Sequence, residues 1–203
     1  MKFLKIELAA LVAFIICVSL STYKLDSECE GIRENVLRLH VVAASDSDAD
    51  QKIKLQLRDE LLVKGKELFS DTSTKAEAEK KLSDGISLMQ QTADSFLEKK
   101  GYPHKASVSL GKSYFPTRCY ETFTLPAGIY DALKVTIGSG EGQNWWCVMF
   151  PALCLPAAEK NKADFDGILT QKQQSIITDE KYEVRLWLVE KWQEMKEFFI
   201  YNN

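Results

Sequence analysis

The hydrophobic pattern changes from the period of a helix to the period of a strand at Gly101-Tyr102-Pro103, and this change constrains the fold most. Residues 73–100 carry apolar side chains at helical spacing, ending with Phe96 and Leu97. From Ala106 onward, apolar residues alternate with serines, which is typical of a strand with one face in a core. Because glycine and proline end helices, the sequence predicts a helix that stops at this tripeptide and a sheet that follows it.

Other helices and strands follow from the same two periods. Ser47 and Asp50 have the spacing of a capping box and predict the start of a helix along residues 53–68, with Gly65 as a candidate break or kink. Strands are predicted at residues 36–44, 115–123, 129–137 and 145–150. The last of these runs is apolar at every position, which predicts a central strand covered on both faces.

The end of the chain predicts a connection and a closing helix. Residues 155–178 are polar with few apolar anchors, so we expect an irregular connection there. The closing helix runs from Glu183 to Phe199, and its apolar stripe consists of Val184, Leu188, Trp192, Met195 and Phe199. The order of elements predicts an α+β fold with one mixed or antiparallel β-sheet packed with helices, preceded by an N-terminal signal peptide or anchor.

The amino terminus has the layout of a secretory signal peptide. Lys2 and Lys5 precede the apolar run Leu8–Leu20, and Ser19-Leu20-Ser21 offers small residues at cleavage spacing. A helix of this run spans about 20 Å, less than the ~30 Å hydrocarbon core, which favours a signal peptide over an uncleaved anchor. In both cases we expect the Sec export machinery to carry the rest of the chain across the membrane. The predicted divisions are residues 1–21 as signal peptide or anchor, 22–35 as linker and 36–203 as a single domain.

Charge and motifs argue against several function classes. The 203 residues carry a formal net charge of −3 with both signs interspersed, so nucleic acid is a poor partner. Gly138, Gly140 and Gly142 lack the spacing and the following helix of a dinucleotide-binding loop, so we predict a turn there and no small-molecule cofactor. No metal site is predicted, because the cysteines and histidines lack ligand spacing and the aspartates of residues 46–50 lack the other ligands of a calcium loop.

Four cysteines follow the export segment, at positions 29, 119, 147 and 154. In an exported chain they allow three disulfide pairings. A disulfide between Cys147 and Cys154 would close a short loop and stabilise the fold by about 2–3 kcal/mol where the geometry allows it. Buried free thiols are the alternative, and the sequence leaves both open.

Cys147, His40 and Asn144 supply the residue types of a thiol-dependent hydrolase, in which an imidazole takes the thiol proton and an amide orients the ring. Cys147 lies in the most apolar run of the chain, where burial raises a thiol pKa and disfavours the thiolate. The sequence therefore favours a core cysteine and a strand histidine, with an exported hydrolase as the alternative function.

Aromatic residues are concentrated between Tyr114 and Pro156, more than one small sheet is expected to bury. An exposed aromatic cluster in an exported protein indicates a surface for a protein partner. The predicted partner-binding residues are Phe115, Arg118, Tyr120, Tyr130, Asn144 and Trp145. A structural protein of the cell envelope is a further alternative.

Four segments of the chain form one pattern: residues 36–47 with Arg58-Asp59, Phe115-Pro-Thr-Arg-Cys-Tyr120, Leu125-Pro-Ala-Gly-Ile-Tyr130, and residues 138–154, where Ala152 replaces an expected second proline. Together these segments resemble the stage II sporulation protein R family. The resemblance covers about residues 36–156.

This resemblance implies a non-enzymatic signal that is made in the forespore of an endospore-forming bacterium and exported into the space between forespore and mother cell. There, such proteins are required to activate a membrane-embedded aspartic protease of the mother-cell membrane. That protease processes the precursor of the mother-cell sigma factor E, and it holds the catalytic residues of the pathway.

Overall fold

The structure is a computed structural model that describes residues 2–151, 165–179, 182 and 186–194. The helices are α1 (Lys2–Asn35), α2 (Asp48–Leu68), α3 (Lys75–Asp84), α4 (Ile86–Lys99) and α5 (Gln171–Thr178). The strands are β1 (Leu37–Val42), β2 (Ala106–Phe115), β3 (Arg118–Cys119), β4 (Thr124–Leu125), β5 (Gly128–Ile137) and β6 (Asn144–Phe150). Residues 186–194 are also helical.

Four strands form a mixed sheet in the order β2-β5-β1-β6. β1 is parallel to β5 and antiparallel to β6, and β2 is antiparallel to β5. Strands β3 and β4 pair separately as a short hairpin. The predicted α+β fold with a mixed sheet packed with helices is therefore confirmed. The prediction that residues 145–150 form a central strand is wrong, since β6 lies at the edge of the sheet and owes its apolar sequence to cover on both faces.

Helices α2, α3 and α4 cover one face of the sheet, and their buried residues include Leu57, Leu82 and Met89. Ser47 caps α2, as predicted, because its side chain accepts from the backbone N–H of Asp50 at 3.2 Å.

The break in the helical layer lies at Gly85 and not at the predicted Gly65. Gly65 does not break α2 but lies against the side chain of Met149, where a Cβ would come within 2.6 Å of a methionine carbon. The single helix expected along residues 73–100 is divided at Gly85, which ends α3 and begins α4. Gly85 therefore separates α3 from α4, whereas α2 stays continuous where Gly65 packs closely on β6.

The opposite face is covered by a second layer, which joins the end of α1, the β3–β4 hairpin, α5 and residues 186–189. Part of this layer corrects the expected irregular connection at 155–178. Thr170 forms a capping box with Gln173 at the start of α5, and Ile176 and Ile177 are buried. Residues 155–164 of that connection lie outside the described part of the chain.

The predicted stripe of the closing helix is corrected in its described portion. Leu188 and Trp192 are each 42% exposed, whereas Leu186 and Val189 face the core. Val184, Met195 and Phe199 lie outside the described residues.

Helix α1 runs without interruption from Lys2 to Asn35, a length of about 50 Å at 1.5 Å per residue. Among the described helices it is the one long and apolar enough to cross a membrane, a test that a signal sequence also passes. Residues 22–35, the predicted linker, are helical, and Cys29, Ile32 and Arg33 are buried in the second layer. The folded unit begins within α1.

Candidate functional site

The sheet face beneath the second layer carries a set of basic and aromatic side chains that we call the arginine–aromatic cluster. Alternation along β1 places residues 38 and 40 on this face, away from the layer of α2, α3 and α4. The cluster consists of Arg38, His40, Phe115, Arg118, Tyr120, Tyr130 and Trp146.

Arg38 is the fully buried centre of this cluster. Its guanidinium carbon lies 4.1 Å from the ring centroid of Phe115 and 4.9 Å from that of Tyr130. Nε donates to the carbonyl oxygen of Cys147 at 3.2 Å, and Nη2 donates to the hydroxyl of Tyr120. Desolvated cation–π contacts of this kind contribute about 2 kcal/mol. The aromatic rings and the two acceptors thus hold a buried positive charge in one orientation.

Tyr130 closes the inner side of the cluster. Its hydroxyl donates to the carbonyl oxygen of Pro126 at 2.6 Å, and its ring contacts Phe115 edge to face at a centroid distance of 5.5 Å. Burial raises the pKa of the Tyr130 hydroxyl, although the positive charges of Arg38 and Arg33 oppose that rise. Tyr130 is therefore neutral and acts as a hydrogen-bond donor within the core.

A stack of side chains leads from the cluster to the sheet edge. The ring of His40 is parallel to that of Trp146 with centroids 5.9 Å apart, and the Arg118 guanidinium carbon lies 3.9 Å from the Trp146 ring centroid. Nε2 of His40 lies 2.7 Å from Oδ1 of Asn144, so this nitrogen carries the proton. Burial lowers the pKa of His40, an effect that the Asn144 contact opposes and nearby Lys134 increases. The imidazole is therefore mainly neutral at pH 7.

The geometry does not support the thiol-dependent hydrolase. The β1–β6 register pairs Leu39 with Cys147 and His40 with Trp146. Since neighbouring residues of a strand face opposite sides, Cys147 packs in the core of the helical layer while His40 faces the second layer. The imidazole cannot reach that thiol, so the residues lack the contact on which proton transfer depends.

The predicted partner-binding residues do not form one surface. Phe115 and Tyr130 are 0% and 1% exposed, which corrects their expected surface role, because the second layer covers them. Arg118 and Tyr120 are half-buried, and Asn144 is exposed.

Trp145 faces away from these residues. It is 36% exposed on the other side of β6, where the guanidinium carbon of Arg58 on α2 lies 4.4 Å from its ring centroid. The residues that remain together at the surface are therefore Arg118, Tyr120 and Asn144, which we call the outer face of the cluster. Sequence reasoning missed Arg38 and Trp146, although the alternation of Arg38 and His40 with apolar residues along β1 was the available signal.

The glycine-rich motif forms a turn that joins β5 to β6, and it locks onto the β1–α2 turn. Gly138 and Gly140 have φ angles of +58° and +69°, and a Cβ at Gly142 would lie 2.3 Å from the carbonyl oxygen of Ser45. The backbone N–H of Gln143 donates to Asp46 at 2.8 Å. These contacts bear out the expected turn and give Asp46 a structural role.

Two of the cysteines that follow the export segment are free thiols. Cys29 is a buried thiol and Cys119 an exposed one, and both are free. The Cys147–Cys154 disulfide remains a prediction, because Cys154 lies outside the described residues.

Within the described ranges, no group of three or more His, Cys, Asp or Glu side chains is placed to hold a metal ion.

Comparison with known proteins agrees with the sequence motifs. The model of the family described as stage II sporulation protein R matches residues 33–160. A curated relative, the stage II sporulation protein R of Bacillus subtilis (strain 168), is 37% identical over 123 residues, which is 61% of this chain and 55% of the relative. The match thus spans little more than half the length of that relative, and no solved structure matches the chain. Because the family match extends over more than half of the chain and includes every residue of the arginine–aromatic cluster, this protein belongs to the stage II sporulation protein R family.

Proposed function

We propose that this protein is an exported sporulation signal. It is made in the forespore, enters the space between forespore and mother cell, and activates a membrane-embedded aspartic protease of the mother-cell membrane. That protease then processes the precursor of the mother-cell sigma factor E. The observation that carries the proposal is an exposed apolar helical run that leads directly into a folded domain of this family.

The chemistry of the described site favours binding over catalysis. The histidine and cysteine considered for a hydrolase face opposite sides of the sheet. Arg38 and Tyr130 are buried, so they position neighbouring side chains and do not meet a substrate. We assign no catalytic residue and no cofactor, and we propose that the protein acts through contact with its partner alone.

The outer face of the cluster is the proposed receptor contact. Arginine and tyrosine are common anchors of protein interfaces because they combine a large contact area with directional hydrogen bonds. Tyr120 is held by Arg38 from below and stacks on Phe123 with centroids 4.7 Å apart. A cleft of about 190 Å³ lies beside it, between the β3–β4 hairpin and α5, and is large enough to accept a partner side chain.

A signal of this type works by binding the active state of its receptor more tightly than the inactive state. Shifting a receptor from 1% to 99% active requires about 10⁴-fold tighter binding, or about 5.5 kcal/mol. A few buried anchor residues supply energies of this order at protein interfaces. A rigid outer face, with Tyr120 and Asn144 already held by hydrogen bonds, is suited to that role because little side-chain entropy is lost on binding.

Blocking export tests the proposal. Leu11 and Phe14 are 55% and 66% exposed within the apolar run, and the double substitution L11R/F14R places two charges there. We expect the protein to be made in the forespore while processing of the sigma factor E precursor in the mother cell stops. The matched control is V63R, at an α2 position that is 51% exposed, and it should leave processing intact. Normal processing in L11R/F14R would contradict an exported signal.

A further inference from the structure

The helical residues 186–194 present an apolar face to solvent. Trp187 is 54% exposed, and Leu188 and Trp192 are each 42% exposed, while Leu186 and Val189 on the other side are buried. Two exposed tryptophans on one short helix are unusual for a soluble surface, because each leaves a large apolar area in contact with water. We call Trp187, Leu188 and Trp192 the tryptophan face.

The helix that carries this face lies next to α1, close to its apolar run, and contacts α1 through its other side. Nε2 of Gln193 donates to Oδ1 of Asp26 at 2.8 Å, which fixes the helical segment against α1. Leu186 and Val189 share the second-layer core with Ile32 of α1. Asp26 follows Leu20 by six residues, so it lies about 9 Å along the helix axis from the end of the apolar run.

The connection between the apolar run and the domain is rigid. Helix α1 has no break between Lys2 and Asn35, and Lys172 of α5 donates to Glu28 of α1 at 2.8 Å. When residues 6–20 lie in a bilayer, the domain is therefore held at a fixed distance from the hydrocarbon. The headgroup zone extends about 5–7 Å beyond each side of the ~30 Å hydrocarbon core. Residues 6–20 span about 22 Å, which is about 8 Å less than that core, so a centred helix places Leu20 about 4 Å inside the hydrocarbon boundary. Asp26 then lies about 5 Å beyond the boundary, and the segment bound to it is at the level of the lipid headgroups.

We propose that the tryptophan face contacts the headgroup region of the same bilayer that holds α1, and so fixes the orientation of the domain on the membrane. Tryptophan is enriched at membrane interfaces because its ring is apolar and its indole N–H is polar. The position of this helix, bound to α1 six residues beyond the exposed apolar run, favours lipid over a protein partner. The inference requires α1 to stay attached to the domain.

Tryptophan fluorescence of the full chain in vesicles tests this contact. The vesicles contain phosphatidylcholine and phosphatidylglycerol with bromine on the upper acyl chain, which quenches tryptophans in the interface. We expect quenching of the wild-type chain, reduced about twofold or more in W187F/W192F, because the interfacial tryptophans carry the effect. The control W145F removes a partly exposed tryptophan of β6 and should retain the quenching.

The second arm uses iodide, a water-soluble quencher, on the same vesicles. We expect iodide to quench the fluorescence of the wild-type chain less in vesicles than in buffer with little lipid, because the headgroups shield Trp187 and Trp192 from water. Equal bromine quenching in wild type and W187F/W192F would overturn the proposal. So would full iodide access in vesicles, which would mean that the face meets water or awaits a protein partner. Circular dichroism confirms that the phenylalanine variants are folded.

Discussion

Arg33 of α1 donates from Nη1 to the carbonyl oxygen of Ala127 at 3.0 Å, just before β5 begins. The same guanidinium group pairs with Asp26 at 3.0 Å and with Glu30 at 2.6 Å. Gly128 follows directly with a φ of +142°, and a Cβ there would lie 2.6 Å from Cδ of Arg33. The glycine therefore provides the space in which the end of α1 docks on the sheet.

Replacing Gly128 with alanine tests this docking. G128A introduces both backbone strain and a clash with Arg33, so we expect the free energy of unfolding to fall by about 2–4 kcal/mol. The control G101A has a φ of +62° but no atom within 4 Å of the added Cβ, so it should cost about 1 kcal/mol. Urea unfolding of both variants measures the difference.

A double-mutant cycle identifies the clash itself. In R33A the guanidinium group is gone, so adding G128A should cost less than it does in the wild-type chain, by about 1 kcal/mol or more. Strict additivity of the two substitutions would show that Arg33 does not fill the space beside Gly128.

We expect the buried side chain of Arg38 to contribute strongly to the stability of the fold. R38A removes a fully buried side chain from between aromatic rings and leaves the carbonyl oxygen of Cys147 without this donor, so unfolding should become easier by about 3–5 kcal/mol. R38K keeps the charge but loses the planar stacking, and should cost about 2 kcal/mol. Alanine at the exposed Lys134 should change stability by less than about 0.5 kcal/mol. An R38A chain as stable as K134A would contradict the role of the buried charge.

His40 should make stability depend on pH in a defined direction. Its pKa in the folded protein is lowered, mainly by burial, so the unfolded chain binds the proton more readily. The stabilisation is fully present above the unfolded pKa of about 6.5 and is lost as pH falls below it toward the folded pKa. The free energy of unfolding should decline as the pH is lowered from 8 to 5, and this decline should be shallower in H40F, which retains an aromatic ring beside Trp146. Identical slopes for the two chains would rule out this assignment.

The outer face of the cluster should carry the signalling contact. R118E reverses the charge of a half-buried side chain at that face, and we expect it to slow processing of the sigma factor E precursor by about tenfold or more. K112E makes the same kind of reversal at an exposed position of β2, and it should leave processing of the precursor at the normal rate. Processing is followed by immunoblotting with folding checked for each chain. Normal rates in R118E would exclude this face as the receptor contact.

Local signals in the sequence were sufficient for most of the fold. The capping residue Ser47 and the alternation along β1 and β2 depend on neighbours in the chain, so their elements could be predicted. The order of the strands could not, because pairing of β1 with both β5 and β6 joins residues that are about 100 positions apart. The apolar run of β6 has the same appearance in a central strand as in a covered edge strand.

The second layer escaped prediction for a related reason. The charged residues around Arg33 have the composition of a linker, and their burial depends on acceptors such as Ala127 that are distant in sequence. Ile176 and Ile177 of α5 are too few to give a helical period, although both are buried against distant elements.

The candidate site was predicted only in part. Arg118, Tyr120 and Asn144 are at or near the surface as expected, whereas Phe115 and Tyr130 enclose a buried arginine that composition alone would place in solvent.

Reconstituted cleavage of the sigma factor E precursor tests the central claim most directly. The receptor protease and its precursor are placed in vesicles with the precursor on one side, and the full chain is supplied on the other side. The account predicts that cleavage accelerates when the chain is added and that the products disappear when the protease, not this chain, carries a substitution of its catalytic aspartate. Cleavage that is unchanged by the chain, or that continues without an active protease, would contradict it.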